Sequence, residues 1–198
     1  MRGHLETIET LDELASIAHG CTECSLAESR TNVVFGSGSP TTDVMIVGEA
    51  PGQQEDVEGL PFVGRSGRLL DKLLGEVDLD RGDVYIANVV KCRPPSNRDP
   101  RPDEIDSCKG YLRRQIELID PKVVLTLGNF SMKLLLNTTT GITRMRGTAY
   151  EWWGRFLVPT FHPAAALRGG DRVTNDIRAD LSLVRNIIDG NVVYTDER

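Results

Sequence analysis

The chain has 198 residues, of which 39% are hydrophobic and 26% charged, and its formal net charge is -6 at pH 7. This length and composition predict a single globular domain over residues 1–198, and the lack of any apolar run near the ~20 residues of a membrane helix predicts a cytoplasmic protein without membrane contact. The net negative charge argues against a protein that binds polyanions in general, because such a protein needs a surplus of lysine and arginine to neutralise phosphates.

Apolar runs of strand length alternate along the chain with segments of helical periodicity. The run at 44–47 ends at Gly48, and its continuous apolar character is typical of a strand buried on both faces. The alternation predicts an α/β protein whose mostly parallel sheet is covered by helices on both sides. The predicted elements, in chain order, are a helix over 11–18, a strand over 44–47, a helix over 66–77, a strand over 84–90, a helix over 102–119, a strand over 122–127, a helix over 131–136, a strand pair over 146–153 and 155–160, and a helix over 173–188.

Four cysteines fall into a close pair, Cys21 and Cys24, and a distant pair, Cys92 and Cys108. A Cys-x-x-Cys spacing lets one metal ion or cluster accept both thiolates, whereas the fold must bring the distant pair to them. The first twenty residues lack the apolar segment of a secretory signal, so a reducing compartment disfavours disulfides. We expect metal or cluster ligation, with zinc and an iron-sulfur cluster both open. A redox-active Cys-x-x-Cys pair and unligated core cysteines are the alternatives.

The distant cysteine pair brackets a loop rich in proline and arginine. Lys91, Arg93, Arg98 and Arg101 stand against Asp99 alone, which gives a net charge of +3 over residues 91–101. Such a loop forms either a basic rim on an acidic body or a solvated loop without a partner.

Polar side chains follow three of the predicted strands at the points where those strands end. Glu49 follows the first strand, Asn88 lies near the end of the second, and His162 follows the last. Open α/β sheets place their ligands at the carboxyl ends of the strands. We therefore expect these three side chains to converge at one edge of the sheet.

Four motifs stand in a fixed order along the chain, together with the four cysteines. In this combination they closely resemble family 4 uracil-DNA glycosylases, the iron-sulfur branch of the uracil-DNA glycosylase superfamily. The resemblance runs from about Cys21 to the final helix. The motifs are GEAPGQQED at 48–56, GLPFVGRSG at 59–67, ANVVKCRPPSNRDP at 87–100 and FHPAA at 161–165.

The resemblance implies a three-layer α/β/α sandwich with a four-stranded, mostly parallel central sheet. It also implies a 4Fe-4S cluster bound by Cys21, Cys24, Cys92 and Cys108. The implied reaction is hydrolysis of the bond between uracil and its sugar, with water as the nucleophile and an abasic site as the product. The implied partner is uracil-containing DNA, single- or double-stranded, and nothing requires more than a monomer.

The resemblance also assigns the uracil pocket. Phe62 would stack on the extruded base, and Asn88 would read its edge by donating to O4 and accepting from N3-H, a pattern that cytosine inverts. Gly48 and Ala50 would line the pocket, and His162 would donate to O2 as negative charge develops there. The structural alternatives are core packing for Phe62, a strand-end cap for Asn88 and a packing role for His162.

Two carboxylates compete for the catalytic role. By resemblance Glu49 positions the attacking water and stabilises the cation-like sugar, while Glu55 assists or shapes the pocket. The better known branch of the superfamily has an aspartate where this chain has Ala50 and a tyrosine where it has Gly52. Thymine exclusion therefore needs another group, and our hypothesis is that Glu55 or the Phe62 loop fills the space of the thymine methyl.

The expected DNA contacts come from two places. After His162, Leu167 would fill the gap left by the extruded base and Arg168 would touch phosphate, with plain helix packing as the alternative for Leu167. The cysteines at both ends of the basic loop would hold Arg93 and Arg98 against the DNA backbone.

Three other functions fit the sequence less well. A related iron-sulfur branch traps the sugar covalently and has a histidine in the corresponding loop, but PPSNRDPRP has none. A non-catalytic cluster protein would need the cysteines but not Glu49, Asn88 and His162 together. A Rossmann-type nucleotide-binding enzyme would need the G-x-G-x-x-G spacing, which GEAPGQ lacks.

Overall fold

The computed structural model of this protein describes residues 5–191, so the first four and last seven residues of the predicted domain lie outside it. Within this part of the chain no helix has both the length and the apolarity to cross a membrane. The strands are β1 (Ser37–Gly38), β2 (Val44–Gly48), β3 (Val84–Asn88), β4 (Val123–Leu127), β5 (Tyr150–Trp152) and β6 (Arg155–Thr160). The helices are α1 (Leu11–His19), α2 (Gln53–Glu58), α3 (Arg65–Gly75), α4 (Pro102–Ile119), α5 (Asn129–Leu136), α6 (Ile142–Met145), α7 (Pro163–Gly169) and α8 (Asp171–Ile188), with 3-10 turns at Ser25–Glu28 and Pro95–Asn97.

The strands form one sheet in the order β1-β3-β2-β4-β6-β5. The inner four, β3, β2, β4 and β6, are parallel, which confirms the α/β class and the four-stranded parallel centre. The short strands β1 and β5 add an antiparallel edge on each side, so the described sheet has six strands rather than the expected four. Strand β5 lies within the predicted strand pair, whereas the two residues of β1 are too few to give a periodic signal.

Helices cover both faces of the sheet because alternate residues of each inner strand point to opposite sides. In β2, Met45 and Val47 pack into a core with side chains of α1 and α4. Val44 and Ile46 pack into a second core with side chains of α3 and α8. All five residues of each of β2, β3 and β4 are buried, as expected for strands covered on both faces.

The parallel register places the carboxyl ends of the inner strands at one edge. Gly48 at the end of β2 pairs with Asn88 at the end of β3, and Leu127 at the end of β4 pairs with Thr160 at the end of β6. Glu49 follows directly after the end of β2, and His162 lies two residues after the end of β6. The predicted convergence at one sheet edge is therefore a property of the backbone.

A buried ion-pair network fixes the end of β6 just before His162. Asp180 on α8 is fully buried and accepts hydrogen bonds from Thr160 Oγ1 (2.6 Å) and from Arg146 Nη2 (2.6 Å) and Nε (2.9 Å). The Arg146 guanidinium also lies 5.6 Å from the ring centroid of Phe161. Helix α8 thus holds the strand that presents the histidine.

Removing this carboxylate should be costly. The D180A variant leaves Arg146 without its buried partner, so we expect the free energy of unfolding to fall by about 3 kcal/mol. Denaturant unfolding of the two proteins measures the difference. At the C-terminal cap of the same helix, D189A breaks an exposed pair with Arg185 and should cost less than about 0.5 kcal/mol. Equal losses in the two variants would contradict the role of the network.

Candidate active site

An open cleft of about 780 Å³ lies at the carboxyl edge of the sheet. It is lined by residues that follow β2, β3, β4 and β6, together with part of the loop between Cys92 and Cys108. The predicted site residues that line it are Glu49, Ala50, Glu55, Phe62, Asn88, Arg98, His162 and Arg168. Gly48 lies directly behind Phe62 and Asn88, whereas Arg93 and Leu167 are not among the lining residues.

Phe62 presents an aromatic wall to the cleft. It is buried, its backbone has the unusual φ of 53°, and its ring centroid lies 5.6 Å from that of His162 at an interplanar angle of 31°. A Cβ at Gly48 would come within 2.8 Å of the ring. The ring can lie against the sheet end only because residue 48 has no side chain.

Asn88 has an acceptor without a partner. Its side chain is buried, and Oδ1 accepts no hydrogen bond from the described residues although it has lost its contact with water. Such an atom costs free energy unless a donor satisfies it. Because Asn88 lines the cleft, a ligand N-H placed beside Phe62 is the natural donor.

The Lys91 ammonium donates a hydrogen bond to the backbone carbonyl of Asn88, a contact that the sequence did not indicate. Counted above as a cation of the basic loop, it is instead buried, and Nζ donates to the Asn88 carbonyl (2.8 Å) and to Gln115 Oε1 (2.5 Å). Burial lowers its pKa to about 8, against the opposing effect of the Cys108 and Cys92 thiols. Lys91 therefore adds nothing to the charge of the loop surface.

His162 is held as a neutral hydrogen-bond donor. It caps the N-terminus of α7, and its Nδ1 accepts the backbone N-H of Ala164 at 3.1 Å. Burial, and secondarily the charge of Arg168, lowers its pKa to about 4. A neutral imidazole that accepts at Nδ1 carries its proton on Nε2, so this atom is the donor.

Glu49 is poised to accept a proton near neutral pH. Burial, and secondarily the charge of Asp99, raises its pKa from 4.5 to about 7. Asp99 belongs to the loop between Cys92 and Cys108 and lines the same cleft. In the sequence Asp99 is only one charge among those of the loop, because its distance from Glu49 depends on how that loop folds back over the cleft.

Glu55 is already occupied by backbone amides. Oε1 accepts from the N-H groups of Val63 (3.1 Å) and Gly64 (3.0 Å), and Oε2 accepts from Gly52 (3.2 Å). These bonds fix the loop that carries Phe62. Of the two roles proposed for Glu55, this arrangement favours shaping of the pocket over positioning of water.

The carboxylate of Glu104 holds the basic loop in place through Arg98, a contact that the sequence did not indicate. Arg98 donates to both oxygens of the buried Glu104, at 2.6 and 2.9 Å, and Glu104 also accepts from the Arg101 N-H (2.8 Å) and Ser25 Oγ (3.3 Å). The pKa of Glu104 is lowered to about 2, chiefly by its hydrogen bond from Arg98. Arg98 lines the cleft, but its Nη1 and Nη2 groups already donate to Glu104 inside the protein.

The four cysteines face one small cavity behind this loop. None forms a disulfide, and all four line a space of about 20 Å³ together with Tyr111. Cys92 Sγ accepts from Arg30 (3.3 Å) and Cys108 Sγ from the Lys91 N-H (3.2 Å). The described residues include no group of three ligating side chains arranged around a single metal ion. The fold nonetheless brings the close and the distant cysteine pairs to the same cavity, although they are far apart in sequence.

Comparisons with known proteins identify the family of this chain. The family model described as "Uracil DNA glycosylase superfamily" matches residues 35–182, and the chain belongs to this superfamily. Proteins named type-4 uracil-DNA glycosylase are similar to it over most of their length. The match is 46% identical over 81% of this chain and 77% of the Sulfurisphaera tokodaii protein, 44% over 81% and 84% for Archaeoglobus fulgidus, and 45% over 81% and 84% for Thermotoga maritima. Within the superfamily, the chain therefore belongs to the type-4 family.

The raised pKa of Glu49 has a consequence for stability. Because the folded pKa of about 7 lies above the ordinary value of 4.5, the free energy of unfolding falls as pH rises from 4.5 to about 7 and then levels off. The E49Q variant, which stays neutral, should be about 1 kcal/mol more stable at about pH 8 and no different at about pH 4. Denaturant titrations at the two pH values measure this. A difference of the same size at both values would contradict the shift.

Proposed function

We propose that this chain removes uracil from DNA by extruding the nucleotide and hydrolysing the bond between base and sugar. The observation that carries the proposal is the meeting, in one cleft, of an unpaired buried acceptor on Asn88, a neutral donor on His162 and a carboxylate of raised pKa on Glu49. A non-catalytic DNA-binding protein would have no use for this combination.

Asn88 supplies base selectivity. Uracil offers an N3-H to the unpaired Oδ1 and an O4 acceptor to the side-chain amide, and cytosine reverses both positions. A buried polar group left without its partner rejects the wrong base strongly. Phe62 stacks on the accepted base and completes the pocket.

His162 stabilises the leaving group. Breaking the bond leaves negative charge on uracil, much of it on O2, and a fixed donor at this atom favours the transition state over the ground state. A neutral imidazole serves this purpose while keeping its proton. The Ala164 amide holds the ring in the required tautomer.

Glu49 activates and positions the water. As the bond breaks the sugar becomes cation-like, so an ionised carboxylate nearby stabilises it and accepts a proton from the attacking water. The exposed residues Leu167 and Arg168 on α7 then serve as the gap-filling and phosphate-binding groups.

The activity is tested on a single-stranded and a double-stranded oligonucleotide that contain one uracil, with alkaline cleavage of abasic sites. We expect strand cleavage at the uracil, with a rate that increases as pH rises through about 7, where Glu49 ionises. The E49Q variant should lose about 100-fold in kcat and show no such increase from about pH 6 to about pH 8.

The E58Q variant is the matched control, because Glu58 is an exposed carboxylate at the end of α2 and does not line the cleft. It should keep the rate and pH profile of the unaltered protein. A pH-dependent rate in E49Q like that of the unaltered protein would show that another group positions the water.

We further propose that Cys21, Cys24, Cys92 and Cys108 bind a 4Fe-4S cluster. Four free thiols around one cavity match the donor set, and a cubic cluster holds its thiolates farther apart than a zinc ion, which needs sulfurs about 2.3 Å from one point. The hydroxyl of Tyr111 is buried at this cavity beside the Cys21 thiol, so it would face sulfur atoms of the site rather than solvent. When bound, the cluster would join both ends of the basic loop through these four cysteines, and the proposed hydrolysis needs no electron transfer from it.

Loss of one ligand should therefore affect stability and DNA binding together. We expect the C108A variant to contain less iron and sulfide, to unfold at a lower temperature and to bind uracil-containing DNA at least about tenfold more weakly. The K109R variant changes a neighbouring exposed residue that keeps its charge and does not line the cysteine cavity, and it should retain all three properties. A cluster-free C108A protein with unchanged DNA affinity would refute the structural role of the cluster.

A further inference from the structure

We propose that Arg81 is a positioning residue that holds Phe62 in place as the surface on which uracil stacks, an inference that rests on the proposed function. Arg81 lies in the turn between α3 and β3, outside every motif of the sequence. Its Nη2 donates to the carbonyls of Phe62 (2.8 Å) and Pro61 (2.9 Å), and its Nη1 donates to the carbonyl of Phe62 (3.2 Å).

The backbone at Phe62 needs such support. A φ of 53° is in the left-handed region, which costs free energy for a residue with a bulky side chain. The Phe62 carbonyl lies so close to Gly67 at the start of α3 that a Cβ there would overlap with it. The conformation that turns the ring toward the cleft is therefore imposed by its surroundings.

Arg81 is itself anchored on two sides. Its Nε lies 3.4 Å from Asp71 Oδ1 on α3. The turn that carries it is closed by hydrogen bonds from the Asp80 N-H to Asp83 Oδ2 (2.8 Å) and from the Gly82 N-H to Asp80 Oδ1 (2.6 Å). The guanidinium therefore reaches two carbonyls from a fixed base, which the single ammonium of a lysine cannot reproduce.

Two side chains of opposite charge bind the backbone of the loop that carries Phe62. Arg81 binds the carbonyls of Pro61 and Phe62, and Glu55 binds the amides of Val63 and Gly64. Because Arg81 fixes the carbonyls on one side of Phe62 and Glu55 fixes the amides on the other, the Phe62 ring has little freedom to tilt. Uracil then meets a preorganised surface, and less of its binding energy is spent on ordering the loop.

Hydrogen exchange of the cluster-loaded protein tests the support directly, without reference to activity. We expect the amides of residues 62–64 to exchange at least about tenfold faster in R81Q than in the unaltered protein, with R81K in between. The R178Q variant is the matched control, since Arg178 is a partly exposed arginine on α8 whose guanidinium pairs with Glu76. It should leave exchange of the amides of residues 62–64 unchanged.

Kinetics then test the consequence for the base. In R81Q we expect KM for uracil-containing DNA and the inhibition constant of free uracil to rise about tenfold, with a smaller change in kcat and partial recovery in R81K. Thermal unfolding and iron content should match those of R178Q. Equal exchange and equal uracil inhibition in R81Q and R178Q would overturn the assignment. Failure of the unaltered protein to release uracil would overturn the proposed function, and with it the uracil part of this inference.

Discussion

The absence of a side chain at Gly48 is the constraint on which the cleft depends. A single additional carbon there would overlap with the Asn88 side chain and come within 2.8 Å of the Phe62 ring. Because β2 and β3 are parallel and in register, Gly48 lies beside Asn88 at the sheet edge. The proposed reader of the base edge, Asn88, and the proposed stacking ring, Phe62, can therefore share one wall, and loops from other parts of the chain close around them.

Burial in this cleft acts in opposite directions on its two titratable groups. It lowers the pKa of His162 and raises that of Glu49, because a low-dielectric environment disfavours the charged form of either group. One environment thus provides a histidine that is neutral and a carboxylate that ionises near neutral pH. Neither group needs a dedicated charged partner, although Asp99 adds to the shift of Glu49.

Sequence patterns predicted the parts of this protein that depend on local periodicity and on strand direction. The buried strands were recognisable as apolar runs, and the convergence of Glu49, Asn88 and His162 followed from their positions at the ends of parallel strands. Contacts between segments distant in sequence gave no such signal, so the burial of Lys91 and the hydrogen bonds of Arg81 to the Phe62 loop became visible only in three dimensions. Helix α2 was also missed, since its six residues begin after a glycine and show no apolar period.

The basic loop is less cationic toward solvent than its composition indicates. Of the four cations between residues 91 and 101, Lys91 is occupied by the Asn88 carbonyl and Arg98 by Glu104. The strength of electrostatic attachment to a nucleic acid, and its decline as salt is added, both follow the number of phosphates neutralised. A protein with a net negative charge that uses two of these four cations for internal hydrogen bonds would bind DNA without uracil only weakly. It would then leave one stretch of DNA quickly and examine the next, retaining its hold mainly where a base enters the cleft.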